Sequence, residues 1–133
     1  MEKQWSIRLI RLAAIFGLIG AVIGSDMSGS GNYQLRAIHA HILVVGWLSV
    51  FAWGLFYRVF EVRSKKLVSV HGWTAILGSI GLTIGMLFYY INPFNLSEVF
   101  TLIFFIAGGT TLLISFAVFI WVTFTLKSEE TKK

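Results

Sequence analysis

Two histidines stand one residue apart in Ala37-Ile-His-Ala-His-Ile-Leu-Val-Val-Gly-Trp47, at the start of a long apolar run. An imidazole so placed can ligate a metal or carry a proton, and one inside a membrane must be paired, solvated or metal-bound. On an unbroken helix, residues two apart point about 200° away from one another, so His39 and His41 cannot hold one metal from a single face. The His39 face continues through Leu43, Gly46, Val50, Trp53 and Tyr57, with Arg36 about 60° away one turn earlier. It combines a gap, aromatic rings and a cation. The His41 face runs through Val45, Leu48, Ala52 and Leu55, an aliphatic strip suited to lipid or to aliphatic packing. His39 is therefore the first ligand candidate, and His41 the alternative if the helix is rotated. The plainer reading is that both imidazoles lie near enough to the interface to meet water or a carbonyl.

The elements that must carry these residues are membrane spans. Apolar residues make up 56% of the chain, aromatics 16% and charged residues 13%, far from a soluble domain. A bilayer core roughly 30 Å thick needs about 20 apolar residues per helix, and four runs qualify: residues 7–24, 37–60, 67–91 and 99–126. Between them lie a Ser/Gly loop (25–36), a basic loop (61–66) and a turn at Asn92-Pro93, with a charged tail after Leu126. The sequence predicts an all-α, single-domain membrane protein over residues 1–133, four helices in an up-down bundle. The first run follows Lys3, Arg8 and Arg11 and is read as a retained span, not a cleaved leader.

Ten of the eleven Lys and Arg residues fall on one side of this scheme and only Arg36 on the other. By the positive-inside rule both termini are cytoplasmic. His39 and His41 then belong to the outer leaflet, and His71 starts the third helix from the cytoplasmic side, its role open. The same clustering beside helix ends argues that the net charge of +5 reports topology and not nucleic-acid binding. Cysteine is absent, which excludes thiolate metal sites and iron–sulfur clusters. The third helix runs outward, so Met86 lies about 9 Å from its outer end, near the depth of His41. Glycines at 17, 20, 24, 78, 81, 85, 108 and 109 form small-residue stripes for helix contact, for a flat cofactor or for a second subunit.

The segment from Leu35-Arg36-Ala-Ile-His39-Ala-His41 through Trp53-Gly54-Leu-Phe-Tyr57 to Glu61 resembles the second helix of the catalytic subunit of haem-copper oxidases, closest to the nitric oxide reductase and C-type branches. Val70-His-Gly-Trp73 looks like a weaker continuation. The resemblance implies haem b, with His39 at the position of the low-spin axial ligand and His41 where that family often has Asn. It also implies its own limit: three histidines cannot supply a haem–copper dinuclear centre, so the chain is not expected to reduce oxygen or nitric oxide alone.

If haem binds, the sixth ligand is Met86, the same histidine from a symmetry mate, or absent, and Arg36 pairs with a propionate or serves as an interfacial anchor. A copper site on His39, His41 and Met27 is the alternative cofactor reading, since imidazole and thioether suit Cu(I). A cofactor-free accessory subunit of a respiratory complex is the third. A proton-coupled exporter is disfavoured, because no Asp or Glu lies inside a span. The sequence thus predicts a homo-oligomeric haem protein of the lipid bilayer, suited to a bacterial plasma membrane. It would act in electron transfer, haem handling or sensing with a respiratory-chain or haem-handling partner.

Overall fold

The computed structural model describes residues 1–127; the tail charges Lys132 and Lys133 lie outside the described residues. The chain forms α1 (Glu2–Ser30), a second span built of α2 (Arg36–His41), a π-helical segment (Ile42–Ser49) and α3 (Val50–Val59), then α4 (Lys65–Tyr90) and α5 (Glu98–Phe124). Four helices are long and apolar enough to cross a membrane. Among the described residues there is no strand, only an isolated antiparallel bridge between Val62 and Leu126.

Local chemistry sets the ends. Gly31, at φ 67°, takes the left-handed conformation and donates its N–H to Met27 O, a closure that glycine permits at no steric cost. α1 therefore runs six residues beyond the expected stop at Gly24, because nothing before Gly31 breaks it, and the Ser30 hydroxyl donates to Asp26 O within the last turn. Ser64 and Ser97 cap α4 and α5 by accepting the N–H groups of Leu67 and Phe100. In the turn between those helices, Asn92 and Asn95 adopt positive φ, and the Asn92 side chain clamps both the N–H and the carbonyl of Leu96.

The second span departs from the unbroken helix that the sequence predicts. Its eight-residue π segment is held at one point by the Ser49 hydroxyl, which donates to Val44 O five residues back. The wider turn re-aims α2 relative to α3.

Glycine notches hold the helices in pairs. On α1, Gly17 lies under Trp47, Gly20 under Leu43 and Gly24 under His39, while Gly54 of α3 receives Ile10. Between α4 and α5 the backbones themselves touch: a Cβ on Gly78 would stand 2.6 Å from Leu112 N, one on Gly85 would stand 2.7 Å from Phe105 Cα, and Gly81 meets Gly108. The small-residue stripes that the sequence offered to a second subunit are thus used within the chain.

Several contacts gather one end of the molecule. The Ser69 hydroxyl donates to Met1 Sδ, and Trp5 lies on Gly72. Arg63 N–H donates to Thr125 O, and Lys127 N–H donates to Glu61 O. The Lys127 ammonium also donates to the Glu61 carboxylate at 2.9 Å, which raises its pKa.

Candidate functional site

The face that the sequence assigned to His39 is the buried one. Gly46, Val50, Trp53 and Tyr57 are all buried, and His39 and Leu43 are half-buried. Its partner is α1. The His39 ring rests in the notch of Gly24, where a Cβ would stand 2.9 Å from the imidazole Cε1, and its Nδ1 is buried with no hydrogen-bond partner. Gly46, read as a gap, is filled by the Phe16 ring of α1. The notches beside His39 that could seat a flat macrocycle are taken, in this packing, by side chains of the same chain.

Met86 is brought elsewhere. It is buried in a cluster with Phe16, Ile38 and Ile42, on the side of the second span that adjoins α4, whereas His39 lies against α1. Met27, expected in a loop, sits inside α1 at 6% exposure, three residues past Gly24 and on the same helix face. The Arg36 guanidinium stands over the Tyr33 ring at 5.3 Å.

His41 points away from this packing. Its Nδ1 lies 2.9 Å from Ala37 O, so Nδ1–H donates to that carbonyl and Nε2 carries the free lone pair. Metal-bound histidines are arranged in this way, with the second nitrogen fixed by a backbone or carboxylate acceptor that sets tautomer and ring orientation. Beside it runs a groove of about 200 Å³ lined by Ala40, His41, Val44 and Val45. Leu48, Ala52 and Leu55 continue the strip as exposed residues, the lipid-facing side that the sequence predicts. Arg36 is one turn before Ala40 on the same face. The groove is apolar apart from the imidazole on its wall.

The third histidine, whose role the sequence leaves open, is the most enclosed. His71 is 0% exposed. Its Nδ1 meets the Tyr57 hydroxyl at 2.8 Å, and its ring lies 4.9 Å from that of Trp53 and 5.1 Å from that of Phe119. Nε2 has no partner, nor do the buried hydroxyls of Ser6 and Ser115. If the hydroxyl donates, one group, Nε2–H, is left bare; with the roles reversed, both Nε2 and the hydroxyl proton go unpaired. Tyr57 is therefore the donor. Tyr57 follows His39 by eighteen residues, roughly 25 Å along the span, so His71 cannot share a ligand with His39 or His41. The signal that could have found it was Trp53 and Tyr57: both lie on the predicted buried face, at the end where the third helix starts.

No cluster of three or more metal-ligating His or carboxylate side chains occurs among the described residues. No protein family, curated protein or solved structure matches the chain.

Proposed function

We propose that this chain is an integral membrane haem b protein, an up-and-down bundle with both termini cytoplasmic. Its outer half binds the haem through His41, in a site that a second copy completes. The observation that carries this reading is the His41 imidazole: Nδ1–H held by Ala37 O, Nε2 free, beside an apolar groove open to the membrane. Arg36 stands one turn before Ala40 at the outer end of the span, where its long side chain would reach a propionate. The groove gives haem one wall and one ligand. A second copy facing it supplies the other wall and a second His41, which makes a six-coordinate iron suited to electron transfer.

The orientation rests on the ten-to-one split of basic residues. Contacts of Met1 with Ser69 and of Glu61 with Lys127 gather the basic segments at one end, away from His41. The resemblance to one helix of the haem-copper oxidases favours haem over other planar ligands, and the count of three histidines favours electron transfer or haem handling over gas reduction. A bacterial plasma membrane and a respiratory-chain or haem-handling partner suit this role.

The test is the absorption spectrum of the detergent-purified protein supplied with haem. A Soret band with reduced α and β bands is expected in the wild type, retained in His39→Ala and lost in His41→Ala, with the loaded form running as a dimer. Bands lost only in His39→Ala would return the ligand role to His39, and no bands in any form would end the haem reading. A second reading, Cu(I), is favoured by the bare Nδ1 of His39 and by buried Met27 on the α1 face that His39 touches. Stoichiometric copper in protein without haem bands, reduced by His39→Ala and by Met27→Leu, would select it.

A further inference from the structure

Between α1 and α4 the membrane-facing surface holds a trough of about 250 Å³, walled chiefly by Leu12, Ile15, Phe16, Ile19, Ile80 and Ile84. The one hydroxyl along it, that of Thr83, is already donated to Ser79 O, so the lining offers nothing polar. Both walls extend to the basic end of the molecule. Arg8 is one turn before Leu12 on the same stripe of α1, and Trp73 precedes Leu77, Ile80 and Ile84 at helical spacing on α4. At that end the Arg8 guanidinium lies over the Trp5 ring at 4.9 Å, and the Trp5 ring meets that of Trp73 edge-on at 5.5 Å. Trp73 is 54% exposed. Among the described residues no carboxylate forms an ion pair with Arg8.

The dimensions suit one occupant. From Leu12 to Ile19 the trough follows about 10 Å of helix, and Arg8 stands one turn, about 6 Å, before it. Trough and guanidinium together reach over about half of a bilayer core roughly 30 Å thick. A second helix would need small residues for close approach, but the walls are large and apolar, and no glycine lines the trough. The open end carries a free guanidinium, which suits a phosphate by geometry as well as charge.

We propose that the trough and Arg8 form a binding site for an anionic phospholipid. Its phosphate would lie on the Arg8 guanidinium, its glycerol level with the Trp73 indole, and one acyl chain along the trough. The site is independent of the haem reading.

The protein is purified in detergent, mixed with equal amounts of phosphatidylglycerol and phosphatidylcholine carrying identical chains, and the retained lipid counted by native mass spectrometry. Retention of phosphatidylglycerol is expected to exceed that of phosphatidylcholine by about fivefold, the scale of one basic contact at a membrane surface. Arg8→Gln should bring the ratio to one, whereas Arg58→Gln, a basic residue at the same end but on the second span, should leave it unchanged. Ile80→Trp, which fills the trough, should lower retention of both lipids. Equal retention of the two lipids by the wild type overturns the proposal without recourse to any variant. So does an equal effect of Arg8→Gln and Arg58→Gln, which would mean diffuse charge, or undiminished retention by Ile80→Trp.

Discussion

Tyr57 and His71 join the second and third spans through one hydrogen bond inside an aromatic cluster. Tyr57→Phe keeps the ring and leaves His71 Nδ1 bare, which should cost about 1 kcal/mol in a membrane bundle, measured as a shifted midpoint on titration with sodium dodecyl sulfate. Tyr57→Phe combined with His71→Phe removes both polar partners and should cost less than Tyr57→Phe alone; a larger loss would mean that the pair does more than bond. At this scale the sequence showed which face of the second span is buried, because helical period links His39 to Tyr57. It did not show that Gly46 is filled, since the filling ring, Phe16, comes from another helix and no spacing within one helix reports it. Nor did it show how His41 is held, since that depends on a rotamer bonded to Ala37 O.

The second span is two α-helical pieces separated by a wider turn, and the turn fixes how the histidines stand relative to the core. Deleting Val44 removes one residue from the π segment, and closure to an α-helix would change the direction in which Arg36–His41 are presented relative to α3 and take a wall from the groove. His41 would leave its groove. Haem binding should fall to background while far-UV circular dichroism stays helical, and an unchanged Soret band would show that the segment does not position the ligand. In the other hairpin, Gly108 meets the Gly81 backbone with no room for a methyl group. Gly108→Ala should force α4 and α5 apart and cost 1–3 kcal/mol or more, roughly the range for overpacked cores, read in the same detergent titration. The four spans were legible to within a few residues from apolar run length, and the glycine contacts from their spacing. The π segment was not, because Ile42–Ser49 reads like any apolar helix and its distinction lies in backbone hydrogen bonds. The extra turns of α1 were missed because Ser25, Asp26 and Ser28 favour loops yet do not forbid helix.

For the whole molecule, the basic end gathers the first residues of α1, the loop after α3 and the last residues of α5. A reporter fused after Lys133 should be cytoplasmic, and one inserted at Gly29 should be external. The reverse would put His71, not His41, in the outer leaflet and remove the grounds for an outer haem. The charge bias on which this orientation rests is carried by the sequence. Which notch faces which ring was not legible there, since it depends on how the pairs of helices dock.

The packing of α1 on the second span and of α4 on α5, each through its own glycines, also bears on how the chain is made. Each pair satisfies its own close contacts as it leaves the ribosome, so insertion can proceed by hairpins. The clip between residues 61–63 and 125–127 cannot form until the fourth span has been made. It ties the loop that ends the first hairpin to the end of α5, after Tyr57 has met His71 and Trp5 has met Gly72 across the hairpins. The order of synthesis thereby sets an order of assembly: the hairpins first, their docking next, and the clip last.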